Sequence, residues 1–222
     1  MNALEKLDGK LVVSCQPVDD GPMDRPEITA AMALAAAAGG AAGLRLEGLD
    51  NLAATRSLTE LPIIGIVKRD LADSEVRISP FRQDIVDLAE LGADIIAYDA
   101  TQRPRPEPTA QLVEQIKQSG KIAMADCATL ADAKQALSEG ADIIGTTLSG
   151  YAYHIAPDGT APDTALVGEF AKLTGFVMAE GRYNSPALAA RAMAAGANCV
   201  TVGSAVTRVE HITDWFVQAV AR

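Results

Sequence analysis

The chain has 222 residues, 49% hydrophobic and 22% charged, and no Pro/Gly/Ser-rich linker, charge block or low-complexity tract divides it, so one globular domain spanning residues 1–222 is expected. A formal net charge of -10 repels phosphate backbones and argues against a nucleic-acid partner, while a locally basic pocket could still take a small anion. No run reaches the roughly 20 apolar residues of a membrane-spanning helix, and the charged opening Met1–Lys10 lacks the apolar centre of a secretory signal, so a cytoplasmic protein with no membrane partner is expected.

Short apolar runs alternate with amphipathic segments along the whole chain. Leu11–Ser14 is the first run, and the alanine-rich helix Pro26–Ala38 follows it, ending at Gly39-Gly40. Gly43–Leu46 then leads to Leu49–Ser57, Pro62–Lys68 to Arg82–Leu91, and Asp94–Asp99 to Thr109–Ser119. Lys121–Asp126 leads to Leu130–Glu139, Asp142–Thr147 to Asp163–Thr174, Phe176–Glu180 to Pro186–Ala195, and Cys199–Gly203 to a last helix near Thr213–Ala221. Apolar runs of this length suit strands covered on both faces.

Local chemistry supports the helix edges. Ser185-Pro186 puts a capping hydroxyl before proline at the first helical position, and Asp163 and Thr213 can cap likewise. Gly92, Gly140 and Gly196 follow helix ends where a left-handed residue is wanted, and each opens a Gly-Ala-Asp/Asn phrase leading into a strand. Eight such units close most economically as a (β/α)₈ TIM barrel, an α/β fold. The competitor is an open doubly wound sheet, whose dinucleotide form needs a Gly-x-Gly-x-x-Gly turn after the first strand; Ser14-Cys15-Gln16-Pro17 does not provide one.

In such a barrel the active site lies at the C-terminal ends of the strands. Those ends collect Ser14, Gln16, Arg45, Lys68, Asp99, Asp126, Thr147, Glu180 and Gly203. Lys68 closes an otherwise uncharged run, and reads either as a side chain snorkelling to solvent or as an amine whose pKa burial lowers until it can take a proton. Glu180 reads either as a salt-bridge partner of Arg45 or Arg182, or as a functional partner of Lys68 that sets the state of the amine or serves as a second acid/base. Gly181-Arg182 and Gly203-Ser204 follow the seventh and eighth strands, where this fold commonly binds phosphate, and Arg208 could add a charge-assisted fork. Asp99 with Arg103 forms either a brace or part of the site. Tyr151, in the loop Gly150–His154, reads as a lid or as a loop tucked on the rim. The two histidines, His154 and His211, do not sit at strand ends, and the widely separated Cys15, Cys127 and Cys199 have no metal-type spacing, so no metal is expected and the cysteines read as reduced, buried thiols.

The ordered motifs resemble a known family. Ser14-Cys15-Gln16, Leu61-Pro62-Ile63-Ile64-Gly65-Ile66-Val67-Lys68, Asp94-Ile95-Ile96-Ala97-Tyr98-Asp99-Ala100-Thr101 with Arg103 and Arg105-Pro106, Met124-Ala125-Asp126, Thr146–Tyr151, Ala179-Glu180-Gly181-Arg182 and Val202–Arg208 together resemble the N-acetylmannosamine-6-phosphate 2-epimerases of bacterial sialic acid catabolism. The resemblance runs nearly end to end. It implies a TIM barrel that interconverts N-acetylmannosamine 6-phosphate and N-acetylglucosamine 6-phosphate with no cofactor, neither metal nor nucleotide. It further implies Lys68 and Glu180 as the catalytic pair, Gln16, Arg45 and Asp126 as sugar contacts, and Arg208 with the backbone near Gly181 and Gly203 at the phosphate.

The chemistry is consistent with these residues. Inverting C2 of a 2-acylamino sugar means removing the proton beside the aldehyde carbonyl, holding an enolate, and returning a proton to the opposite face; a base of tuned pKa with nearby donors suffices. Other phosphosugar barrels, a pentulose phosphate epimerase or an aldolase, remain alternatives, as does a non-catalytic phosphosugar-binding protein. A homodimer through apolar helices such as Ala30–Ala38 is a further expectation.

Overall fold

The structure is a computed structural model of the chain and describes residues 2–153 and 161–221. The eight apolar runs form β1 (Lys10–Cys15), β2 (Gly43–Glu47), β3 (Ile63–Ile66), β4 (Ile95–Asp99), β5 (Ile122–Asp126), β6 (Ile143–Gly145), β7 (Phe176–Glu180) and β8 (Cys199–Val202). Each strand pairs in parallel with the next, and β8 returns to β1 through Val12↔Thr201, closing the (β/α)₈ barrel. Outside it run α2 (Pro26–Ala38), α3 (Leu49–Arg56), α4 (Arg82–Glu90), α5 (Thr109–Gln118), α6 (Leu130–Glu139), α7 (Thr164–Phe170) and α8 (Pro186–Ala194). The caps hold as the sequence predicts: Ser185 accepts from the Leu188 N–H, Asp163 from the Leu166 N–H, and Gly92, Gly140 and Gly196 have φ of 90°, 101° and 106°.

Side chains alternate along a strand, so one parity fills the barrel and the other packs under the helices. The interior cluster contains Val12, Ile64, Ile66, Ile95, Ala97, Met124, Ile143, Met178 and Cys199. The other parity, including Val13, Leu44, Leu46, Ile63, Ile96, Tyr98, Ile144 and Val177, joins the helices in a larger outer core. The interior parity determines where the polar groups emerge. Two residues beyond Ile66 is Lys68, beyond Ala97 is Asp99, beyond Met124 is Asp126, and beyond Met178 is Glu180.

Several boundaries differ from the sequence reading. The third strand stops at Ile66 rather than reaching Lys68, because the chain there pairs with its own returning loop: Ser79 donates its N–H to the Val67 carbonyl at 2.7 Å, and Lys68 bridges Ile78 in antiparallel sense. The seventh helix spans only Thr164–Phe170. A short helix not expected from sequence, α1 (Ala3–Leu7), is nucleated by a capping box in which the Asn2 side chain accepts from the Glu5 N–H and Glu5 from the Asn2 N–H; its Leu7 is fully buried in the interior cluster and plugs that end of the barrel.

The C-terminal segment is also more helical than expected. After β8 come α9 (Ser204–Thr207) and then α10 (Val209–Val220), so Thr213 lies inside a helix rather than capping it. Unlike α2 to α8, each of which buries at least one side chain, α10 buries none: Phe216 is 70% exposed and Val220 76%. No helix among the described residues is long and apolar enough to cross a membrane.

Candidate active site

A cavity of about 640 Å³ opens at the C-terminal end of the strands. Gln16, Arg45, Lys68, Tyr151, Glu180, Gly181, Arg182, Gly203, Ser204 and Arg208 all line it, so every site residue expected from the sequence is present except Asp126, which is fully buried and pairs with Arg45. Arg45, Lys68, Arg77, Arg103, Arg182 and Arg208 face Asp19, Glu75, Asp99 and Glu180 around the wall, a cation-rich lining in an acidic protein. Such a lining favours an anionic small molecule.

The site is built on one guanidinium and two carboxylates. Arg45, 1% exposed, reaches from β2 to β5 and β7. Its Nη2 lies 2.6 Å from Asp126 Oδ2 and its Nη1 3.2 Å from Oδ1, a two-pronged pair, and Nη1 also donates to Glu180 Oε2 at 2.9 Å. Thr147 Oγ1 donates to Asp126 Oδ1 at 2.6 Å. Of the sequence alternatives for Glu180, the structure therefore supplies the ion pair with Arg45, in place of one with Lys68 or Arg182. Burial pushes the Glu180 carboxyl up to about 7; the Asp126 charge acts in the same direction, and Arg45, foremost, and Lys68 oppose it. Two carboxylates sharing one cation leave Glu180 able to hold a proton near neutrality.

Lys68 stands on the other side of the mouth, since β3 and β7 are four strands apart in either direction around the closed barrel. Its amine makes no hydrogen bond or ion pair with any other described residue. Burial lowers its pKa; Glu47 and Asp19 pull it back up, while Arg208 and Arg45 add to the lowering. Arg45 Nε is likewise buried without an acceptor, the kind of donor that a bound oxygen satisfies.

At the β7–β8 side, Gly181 has φ of 105°, and a Cβ on Gly203 would stand 3.3 Å from the Ser14 Cβ, so both positions favour a residue without a side chain. Arg208 donates Nε–H to the Gln16 carbonyl at 2.9 Å, which aims its guanidinium across the β8–β1 gap, and Gln16 in turn donates to Ser14 Oγ at 2.7 Å. Arg182 is committed to the wall: its guanidinium donates to the Ser149 and Ala161 carbonyls at 2.8 and 2.9 Å and stacks 5.0 Å from the Tyr151 ring centroid. This holds Tyr151, 60% exposed, beside the opening.

A family model described as "Putative N-acetylmannosamine-6-phosphate epimerase" matches residues 29–222. The chain belongs to the N-acetylmannosamine-6-phosphate epimerase family. It is 56% identical over 213 residues to a protein of Aliivibrio fischeri, covering 96% of this chain and 90% of that one, and 55% identical over 217 residues to one of Haemophilus influenzae, covering 98% and 94%. Both relatives are named "Putative N-acetylmannosamine-6-phosphate 2-epimerase". The solved structure of the N-acetylmannosamine-6-phosphate 2-epimerase from Clostridium perfringens superposes with a TM-score of 0.96 at 37% identity, covering 99% of this chain and 97% of that one.

In this member of the epimerase family the loop after β4 is braced by its own arginines while Asp99 and Arg103 also line the cavity. Asp99, 1% exposed, takes Arg103 Nη2 at 2.7 Å and Arg105 Nη2 at 3.2 Å, and Arg105 also donates to the Asp99 and Thr101 carbonyls. Tyr153 Oη accepts from the Gln102 N–H and donates to Asp132 Oδ1, both at 2.7 Å, tying the loop after β6 to this brace. His154 lies outside the described residues, His211 falls within α10, and the three cysteines are free and buried. Sequence reasoning missed Asp19, Glu75 and Arg77, which reach the cavity from loops without periodicity. It also missed Glu47, although Glu47 shares the interior parity of Arg45 at the end of β2.

Proposed function

We propose that this chain is an isomerase that inverts C2 of N-acetylmannosamine 6-phosphate to give N-acetylglucosamine 6-phosphate by metal-independent proton abstraction and return, within cytoplasmic sialic-acid and amino-sugar catabolism. The observation that carries the reading is the unpaired Lys68 amine, its pKa lowered by burial, standing across the barrel from the proton-holding Glu180. The names of the relatives supply the substrate. Among the described residues no group of three or more His, Cys, Asp or Glu side chains is arranged to hold a metal. In this reading the proton is carried by the Lys68 and Glu180 side chains.

In this reading the phosphate lies against the backbone at Gly181, Gly203 and Ser204 and the guanidinium of Arg208, which sets the open-chain sugar with C2 between Lys68 and Glu180. Lys68 takes the C2 proton and becomes an ammonium; the electron pair moves onto the aldehyde oxygen, where a donor such as Arg45 Nε–H stabilises the enolate. Glu180 then gives its proton to the opposite face of C2 and becomes a carboxylate, and exchange with solvent resets both groups. In this two-base form of the inversion the groups stand on both faces, and opposite strands of a barrel provide them.

The test is incubation of chelator-treated protein with either sugar phosphate in D₂O. Both are expected to converge on one mixture of epimers carrying deuterium at C2. Tight ligand binding without deuterium at C2 points to a non-catalytic binder, a borohydride-trapped Lys68 adduct to an aldolase, and loss of activity on chelation to a metal enzyme; each would overturn the reading.

A second copy of the chain is proposed to cover α10. After β8 the chain continues through α9 into α10, which packs chiefly on α9, has no buried residue, and leaves Phe216, Val217 and Val220 all more than half exposed. Self-complementary association across a two-fold axis is the simplest way to bury an apolar helix face of this kind. The helix over Ala30–Ala38 packs against α3, buries Thr29, Ala30 and Ala33 and leaves Leu34 40% exposed, so α10 offers the more exposed apolar face. Native mass is expected at twice the 23.1 kDa of one chain, and Phe216→Glu is expected to halve it. A wild-type monomer at micromolar concentration counts against the dimer.

A further inference from the structure

We infer that Glu47 is the positioning residue of the Lys68 base, holding its backbone with one carboxylate oxygen and standing ready to neutralise the ammonium that forms when Lys68 takes a proton. The inference rests on the reading of Lys68 given above and adds a residue outside the cavity wall.

The backbone bookkeeping around Lys68 leads to Glu47. The β2–β3 ladder pairs Glu47 with Ile66, and its last bond runs from the Gly48 N–H to the Ile66 carbonyl at 2.9 Å. Gly48, with φ of 88°, then turns the chain away from the sheet, and its carbonyl accepts from Leu52 as α3 begins. The strand that would have continued to hold Lys68 has gone. The returning loop does not replace it, since the bonds flanking the Lys68–Ile78 bridge are those of Ser79 N–H to Val67 and Arg69 N–H to Arg77. The Lys68 N–H instead donates to Glu47 Oε1 at 3.1 Å. A part-buried backbone donor left without that acceptor would cost free energy, so the carboxylate fixes where the base stands.

The same carboxylate bears on the charge of the amine. The groups facing Lys68 are Glu47 and Arg45 from β2, Asp19 from the loop after β1, Arg208 after α9, and Glu180 from β7. Glu47 is the strongest attraction acting on the ammonium, against the cations Arg208 and Arg45. Without it, a base in this cation-rich wall would be easy to deprotonate but a weak proton acceptor. With it, the ammonium formed in the transition state meets a fixed counter-charge that costs no reorganisation.

Glu47→Gln keeps an acceptor for the Lys68 N–H and removes the charge; Glu47→Ala removes both. The decisive readout is the pH dependence of Lys68 acetylation in the whole chain, followed by mass spectrometry, which reports the amine independently of turnover. In Glu47→Gln the midpoint of Lys68 labelling is expected to move towards acid by roughly one pH unit, and the rising limb of kcat to move with it at unchanged KM. Glu47→Ala is expected to lose kcat by about tenfold or more even on its plateau, a loss that glutamine largely rescues. An unmoved labelling midpoint in folded Glu47→Gln would overturn the inference, as would equal plateau kcat in the alanine and glutamine variants. If labelling moves and the kcat profile does not follow, Glu47 keeps its role and the assignment of Lys68 as base falls instead. Should the alanine variant fail to fold, the labelling of the glutamine variant decides alone.

Discussion

Lys68→Ala is expected to lower kcat for C2 epimerisation by about 10³-fold or more, in the range that a positioned general base contributes, and to abolish deuterium incorporation at C2. The fold should survive. The Lys68 amine makes no bond within the described chain, and burial opposes its charged form, so its removal takes away no stabilising pair. Lys68→Arg separates the base from a merely cationic role. A guanidinium stays protonated at every accessible pH, so if Lys68 works by losing and regaining a proton, arginine is as inactive as alanine. If Lys68 only attracts the substrate anion, arginine restores kcat and the proton-transfer assignment is wrong. Thermal melting of both variants, expected within a few degrees of wild type, checks that a loss of kcat is not a loss of fold.

The residues that could be read from the sequence are those whose position is set locally. Asp126 and Glu180 end apolar strands, and the interior parity of Met124 and Met178 carries each of them to the mouth of the barrel. Gly92, Gly140 and Gly196 were legible for a similar reason, since a helix end followed by a strand demands a left-handed residue at one defined place. Pairings across the barrel were not legible. Arg45 and Glu180 are separated by 135 positions, and whether the guanidinium reaches two carboxylates depends on the width of the closed barrel and on Gly145, which leaves room beside Asp126 and Thr147. Lys68 looked like the end of a strand because nothing local shows that Ser79 and Ile78 fold back to claim the backbone there. The Asn2 and Glu5 capping pair was readable in principle. Five residues are too few to show an apolar periodicity.

Arg45→Met is expected to destabilise the protein by about 3–5 kcal/mol near pH 8, because it removes the cation from a buried triad and leaves two carboxylates facing each other. For a chain of this size that corresponds to a fall in Tm of roughly 10 °C. The pH dependence identifies the cause. In the wild type, burial raises the Glu180 carboxyl from its ordinary 4.5 to about 7. A group whose pKa is raised on folding favours the folded state fully below the unfolded value and loses that contribution as pH rises through the folded one. Stability linked to Glu180 is therefore lost between about 4.5 and about 7. Arg45 limits the loss, since it is the chief group pulling that carboxyl back down. Without it the Glu180 pKa rises further, and ionising the pair becomes more costly. The deficit of Arg45→Met relative to wild type should thus be largest at pH 8 and shrink by pH 5, where the Glu180 carboxyl can hold its proton. Asp126→Asn is the contrasting case: it removes the charge that helps raise Glu180, leaves one cation facing one carboxylate, and is expected to cost less than Arg45→Met while lowering the Glu180 pKa. Chemical denaturation of the three proteins at the two pH values measures all of this. A deficit for Arg45→Met that is the same at both, or that stays below about 1 kcal/mol at pH 8 as for an exposed pair, would mean that the triad does not govern the charge state of Glu180, and Glu180 would then lose its place as the proton donor on the second face of C2.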